Sequence, residues 1–273
     1  MRTLVHLSDL HFGRVDDALL GPLAKLVTQI KPDVVVVSGD LTQRARTEEF
    51  KQASHFLASL PSPQIVVPGN HDVPLHNIFT RFFQALDKYR RHITADLEPF
   101  YVDEEIAVAG INSARSLTIK SGRVSAQQIA RIQTRFCTLD ERITKIIVTH
   151  HPFDLPDNYT DQEIVGRAPL AMAMFASCGV DLLLAGHLHV GNVGNTAERY
   201  KIGDYSALVV QAGTATSTRR RDESNSFNVI RVNPAHVSID RFTWKAGLAA
   251  FTVSATESFH RTASGWSRTA QTN

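Results

Sequence analysis

The chain has 273 residues, with 29 Lys and Arg against 27 Asp and Glu, so its formal net charge is only +2. That balance demands no nucleic-acid or acidic-membrane partner. With 43% hydrophobic and 21% charged residues, the chain can bury a substantial core, which excludes global disorder.

Met1 and Arg2 lead directly into Thr3-Leu4-Val5-His6-Leu7, which Ser8 and Asp9 interrupt, so the start reads as a strand and not as a secretory leader. Apolar, β-branched runs predict strands at 3–7, 33–37, 64–67, 106–111, 145–149 and 181–185. Continuous runs such as Val34-Val35-Val36-Val37 and Leu182-Leu183-Leu184 point to strands buried on both faces. Amphipathic stretches between them predict helices at 16–30, 47–60, 78–89, 125–136 and 169–178, with Glu48 and Glu49 in the first turn of the second. The alternation is that of an α/β protein. Residues 191–195, Gly-Asn-Val-Gly-Asn, carry the chemistry of a hairpin turn. From Ile202 strands follow without helices, at 207–211, 227–232 and 237–244, predicting a second, more antiparallel sheet. Residues 1–253 form one domain in this reading, and 254–273 a tail rich in Ser, Thr, Ala and Arg. Phe259 and Trp266 within it allow a docked arm or a homodimer contact as well as a mobile end. Cys137 and Cys178 cannot form a disulfide-dense scaffold and read as buried apolar fillers in a reducing compartment. No apolar stretch approaches the roughly 20 residues of a membrane-spanning helix, so a cytoplasmic protein is expected.

The predicted strands end alike. The first runs into Asp9-Leu10-His11, the second into Gly39-Asp40, the third into Gly69-Asn70-His71-Asp72, and later ones into His150-His151 and Gly186-His187-Leu188-His189. In an open α/β sheet, ligands bind beyond the carboxyl ends of the strands, which places these residues on one rim. Asp9, His11, Asp40, Asn70, His150, His187 and His189 are oxygen and nitrogen donors without a thiolate, suited to Mn, Fe or Zn. In extended chain, residues two apart point the same way, so Asp9 pairs with His11 and His187 with His189. Seven donors exceed one tetrahedral ion, and two divalent or mixed-valence ions about 3.5–4 Å apart satisfy them economically.

The ordered series Asp9-x-His11, Gly39-Asp40, Gly69-Asn70-His71-Asp72, His150 and Gly186-His187-x-His189 resembles the calcineurin-like metallophosphoesterase superfamily, and within it the class III cyclic nucleotide phosphodiesterase group of bacterial enzymes. The resemblance implies a four-layer α-β-β-α sandwich of two mixed sheets flanked by helices. It further implies that Asp9, His11, Asp40 and His189 hold one metal and Asp40, Asn70, His150 and His187 the other, with Asp40 bridging. A hydroxide shared by the ions attacks phosphorus, His71 serves the leaving group as proton donor or stabiliser, and Asp72 orients His71. The expected substrate is a small phosphodiester, of cyclic nucleotide or glycerophosphodiester type. The alternatives are a phosphomonoesterase, a pyrophosphate hydrolase acting on a nucleotide-linked sugar or lipid, and a non-catalytic metal-binding scaffold. A nuclease is disfavoured by the balanced charge.

Around these motifs, Arg44 and Arg46 follow the bridging Asp40 and are candidates for forking onto a substrate anion. His151 is expected to position its loop, and is a further candidate for substrate contact. Segment 152–166, with Asp154, Asp157, Asp161 and Glu163, is long enough to cap the site, and its acidity disfavours a polyanion there. The basic loop 214–221 reads as solvated charge.

Overall fold

The computed structural model describes residues 1–75, 83–115, 121–156, 159–219, 223–263 and 265–269. In chain order the elements are β1 (Arg2–Leu7), α1 (Asp17–Ile30), β2 (Val34–Ser38), α2 (Thr47–Ala58), β3 (Gln64–Val67), α3 (Asp87–His92), β4 (Phe100–Val102), β5 (Ile106–Gly110), α4 (Ala126–Phe136), β6 (Thr144–Val148), α5 (Ala168–Cys178), β7 (Leu182–Ala185), β8 (Asn192–Asn195), β9 (Leu208–Gln211), β10 (Ser226–Asn233), β11 (His236–Lys245), β12 (Ala250–Thr262) and β13 (Gly265–Arg268). The helix expected at 78–89 lies partly outside the described residues, and α3 covers its end.

The helix starts follow from their caps. The Asp16 carboxylate accepts the Ala18 N–H ahead of α1, and Ser125 and Gln128 bond reciprocally ahead of α4. Leu19, Leu23 and Val27 then recur at helical spacing and are fully buried.

Among the described residues the strands form two mixed sheets, one in the order β13-β12-β11-β10-β1-β2-β3 and the other β4-β5-β6-β7-β9-β8. The period-two geometry of the valine run decides the layering. Val35 and Val37 face α1 and α2 together with Val5, Leu7 and Phe50, while Val34 and Val36 join Val108, Ile146, Leu182 and Val210 between the sheets. On the far side, Ala107, Ile147 and Leu183 pack against Ile129 and Phe136 of α4 and Phe175 of α5. The result is the expected order of helix, sheet, sheet, helix.

Three expectations about the C-terminal third and the cysteines change. The strands after Ile202 do not make a sheet of their own: β9 pairs parallel to β7, whereas β10 pairs antiparallel to β1 and carries β11 to β13 with it. The free edge of β1 away from β2 is where those strands find backbone partners. The expected boundary after Val253 falls inside β12, and Phe259 and Trp266 bury between the two sheets, at 4% and 3% exposure. Residues 270–273 lie outside the described chain. The cysteines are not separate apolar fillers: exposed Cys137, just past α4, is disulfide-bonded to buried Cys178 at the end of α5, with Cα atoms 4.5 Å apart. Both helices cover the outer face of the second sheet, and their C-terminal ends meet there. The reading of a reducing compartment loses the support it drew from unpaired thiols.

Trp266 also donates its indole N–H to Asp181 at 3.2 Å and carries the Arg261 guanidinium over its ring. Trp266→Ala should therefore destabilise the protein by roughly 3–5 kcal/mol, as expected when a large aromatic is removed from a core. Urea denaturation of the full chain measures this, and a change below about 1 kcal/mol would mean the strand is not docked.

Candidate metal centre

The parallel strands β1, β2 and β3 of one sheet, and β5, β6, β7 and β9 of the other, bring the predicted motifs to one end of the sandwich. Beyond β1, β2 and β7 the chain turns abruptly, and Asp9, His11, Asp40, His187 and His189 all adopt positive φ, between 51° and 73°. For residues with a Cβ, that conformation costs about 1–3 kcal/mol each and marks positions whose geometry the surroundings impose. Glycines give these turns their room. A Cβ on Gly69 would stand 2.1 Å from Asp40 Oδ1, and one on Gly39, itself at φ +89°, would stand 2.7 Å from His150 Nδ1.

The side chains gather in two overlapping groups. In the first, buried Asp9 Oδ1 lies 3.5 Å from His11 Nε2 and 3.3 Å from His189 Nε2, the two imidazole nitrogens being 3.4 Å apart. In the second, His150 Nε2 is 3.1 Å from Asn70 Oδ1, and His187 Nδ1 lies 3.2 Å from that same oxygen and 3.3 Å from His150 Nε2. Asp40 Oδ2 stands between the groups, 3.8 Å from His11 Nε2 and 3.3 Å from His150 Nε2. All seven residues expected to bind metal are thus brought together.

Hydrogen bonds behind the donors aim them. Nδ1–H of His150 donates to the Ser38 carbonyl at 2.8 Å and Nδ1–H of His189 to that of Arg219 at 3.0 Å, so each ring turns Nε2 to the centre. The Ser8 hydroxyl and the His187 N–H hold Asp9 Oδ2, and the His71 N–H holds Asp40 Oδ1. Asp9 Oδ1, although buried, receives no hydrogen bond. A desolvated carboxylate oxygen beside converging imidazole nitrogens is what a divalent cation satisfies, and the oxygen and nitrogen donors admit Mn, Fe or Zn.

Charge settles accordingly in the metal-free arrangement. Burial alone would raise the Asp9 and Asp40 carboxyls, but the facing imidazoles, His189 for one and His150 for the other, hold both below the ordinary carboxylate range. Burial opposes protonation of His150, yet the adjoining Asp40 carboxylate outweighs it and pushes the group up to about 9. His11 and His187 are lowered by burial.

The flanking expectations fare differently. Asp72 does not orient the His71 ring. Its carboxylate accepts the N–H groups of Leu41, Thr42 and Gly69 and the Thr42 hydroxyl, tying the loop after β2 to the loop after β3. Burial, then Asp40, raises it to about 6. The His71 ring is held by others: Nδ1 donates to the Gln43 carbonyl at 2.8 Å, and Nε2 lies 2.6 Å from Arg219 Nη1 and accepts from it. In this tautomer Nε2 carries no proton to give a leaving group.

Arg44 and Arg46 are both exposed, and Arg46, at the start of α2, leans toward Glu49 at 3.9 Å. His151 is fully buried, bonded to Ser113 Oγ at 2.8 Å, with its ring 4.6 Å from that of His187. It therefore braces the site and lies close enough to His150 and His187 to complete a three-nitrogen group.

Two residues that sequence reasoning did not single out also reach the centre. Glu163 Oε2 stands 3.0 Å from His187 Nε2, whereas its neighbours Asp154 and Asp161 in segment 152–166 pair with Arg199. Arg219, the first of three consecutive arginines, reaches both His71 and His189. The sequence signal was the acidic segment and the basic loop, and nothing in either separated these residues from their solvated neighbours. Asp157, Arg220 and Arg221 lie outside the described residues.

A family model described as calcineurin-like phosphoesterase matches residues 2–191. The glycerophosphodiester phosphodiesterase GpdQ of Enterobacter lignolyticus is 39% identical over 80 residues, 25% of this chain and 29% of that protein. The 3′,5′-cyclic adenosine monophosphate phosphodiesterase CpdA of Escherichia coli is 24% identical over 203 residues, 68% of this chain and 69% of that one. The chain thus matches less than a third of the GpdQ protein's length. Among solved structures, PhoD superposes with a TM-score of 0.74 at 10% identity, covering all of this chain and 72% of that one, which is a likeness of fold.

An ion ligated by His150 requires the neutral imidazole, and in the metal-free protein that group stays protonated up to about 9. Loading manganese or zinc near neutral pH should therefore expel a proton, and affinity should rise as pH rises toward that value. Titration calorimetry in buffers of different protonation enthalpy reads the proton directly. A binding heat independent of buffer would show that His150 is neutral in the free protein or is not a ligand.

Proposed function

The chain belongs to the calcineurin-like phosphoesterase family, and from that premise we propose that it is a dinuclear metal-dependent hydrolase of a small phosphodiester, of cyclic nucleotide or glycerophosphodiester type. The observation that carries the reading is the convergence of seven oxygen and nitrogen donors around Asp40 beside a buried carboxylate oxygen that no hydrogen bond satisfies. Asp9, His11, Asp40 and His189 would hold one ion, and Asp40, Asn70, His150 and His187 the other. Ions bound there supply Lewis-acid stabilisation of the charge developing on the phosphoryl oxygens and make a water nucleophile available near neutral pH.

The chain's own residues do the rest. Asp40 is fixed through Oδ1 by the His71 N–H, which leaves Oδ2 between the two groups. The carbonyls of Ser38 and Arg219 keep His150 and His189 from turning away. The neutral His71 ring, held at both nitrogens, acts as a fixed polar wall for the substrate and not as an acid. The diester preference is supported by the names of two relatives, both phosphodiesterases. The scaffold reading loses ground because every donor is present and aimed.

Two measurements test this. Manganese- or zinc-loaded protein should hydrolyse bis-p-nitrophenyl phosphate faster than p-nitrophenyl phosphate, and Asp40→Asn should lower turnover by roughly 10²-fold or more, the scale expected when a group that stabilises the transition state is removed. A monoester preference would move the search to phosphorylated metabolites, and full activity in Asp40→Asn would refute the mechanism. His71→Ala should slow nitrophenyl and alkyl diesters by similar factors, as a positioning group does. A loss confined to poor leaving groups would establish proton donation from His71 instead.

A further inference from the structure

We propose that Arg219 anchors the substrate, its guanidinium taking a non-esterified phosphoryl oxygen beside His71. The proposal rests on the phosphoesterase reading of the centre and adds to it a residue outside the matched 2–191.

The loop that presents Arg219 is not a loose surface turn. Ala215 N–H donates to the Ser8 carbonyl, the Thr216 hydroxyl to that of Leu10, and Thr218 N–H to that of Arg14, so the segment is laced along the chain leaving β1. Arg219 N–H donates to Ser217 Oγ, and the Arg219 carbonyl receives His189 Nδ1–H. The backbone of Arg219 is therefore positioned by the same hydrogen bond that aims a metal donor.

Arg219 is half-buried, and among the described residues no carboxylate lies within ion-pair distance of it. Among the described residues its guanidinium meets the lone pair of the His71 imidazole, through Nη1 at 2.6 Å, and the other N–H donors of the fork have no partner there. A partly desolvated cation beside a centre suited to further cations favours an anion between them. A phosphoryl group is such an anion, and the planar fork matches its oxygens as a lysine would not. Arg44 and Arg46 are both exposed, and the Arg46 side chain leans toward Glu49 of α2.

The test compares wild type with Arg219→Ala, Arg219→Lys and, as a control for the change in net charge, Arg142→Ala, an exposed arginine paired with Asp140. Each protein is loaded with manganese, its metal content is measured, and it is assayed with bis-p-nitrophenyl phosphate and with inorganic phosphate as inhibitor. Arg219→Ala should raise KM and the phosphate inhibition constant together, roughly 10- to 100-fold, as expected for a charge-assisted hydrogen bond, with metal content unchanged. Arg219→Lys should recover part of the loss, and Arg142→Ala should match wild type. A variant that loses kcat while KM and phosphate inhibition stay put, or one that loses metal, would make Arg219 a brace for His71 and His189 and overturn the proposal. Equilibrium binding of inorganic phosphate to the manganese-loaded proteins separates this result from the parent reading. If wild type cleaves no ester yet binds phosphate in an Arg219-dependent way, the anchor stands and the hydrolase reading falls. Phosphate binding indifferent to Arg219 overturns the anchor whether or not the esters are cleaved.

Discussion

Around the Asp40 carboxylate, lone pairs are forced together that would separate if left to themselves. One oxygen of that buried group stands between the Nε2 atoms of His11 and His150, and the oxygens of Asn70 and Asp9 lie close by. Holding such a set out of water is costly unless a cation shares the space, and in the metal-free arrangement a proton on His150 offsets part of that cost. The backbone adds a strain of its own, because Asp9, His11, Asp40, His187 and His189 all sit in left-handed conformations.

The architecture serves that arrangement. Two stacked sheets present their parallel strands in one direction, so five short segments distant in sequence end at one rim. Valines and leucines buried on both faces of those strands make the floor rigid, which is the condition for holding side chains in unfavourable conformations above it. Where segments cross closely, a Cβ would collide with a donor, which is why Gly39 and Gly69 are glycines. Asp72 joins two of the crossing loops through backbone N–H groups, so it supports the centre from outside.

Much of this was legible in the sequence because it depends on local rules. The valine and leucine runs announce strands buried on both faces, Asp16 and Ser125 announce helix starts, and the motif residues lie where strands end. What was not legible depends on which distant segments meet. Nothing in residues 226–268 says that they extend the sheet containing β1, and Phe259 and Trp266 had no visible partner until that sheet formed. Cys137 and Cys178 are 41 residues apart and look isolated until α4 and α5 lie side by side. Glu163 and Arg219 belonged to an acidic stretch and a basic stretch. Only the folded positions of His187 and His71 distinguish them from the charges around them.

The pairing of β1 with β10 has a consequence for biosynthesis. Arg2 to His6 align with Val232 back to Asn228, so β1 waits for a strand synthesised long after it to fill its open edge. During that interval β1, β2 and β3 have an unpaired flank, and a nascent chain that already carries every metal-binding motif still lacks the strands that close its larger sheet. Folding of that sheet is thereby tied to the synthesis of β10, and the loop that brings Arg219 to His71 arrives only just before it. A truncated translation product would keep the full set of donors while being deprived of the half of the sheet that shields them from association with other chains.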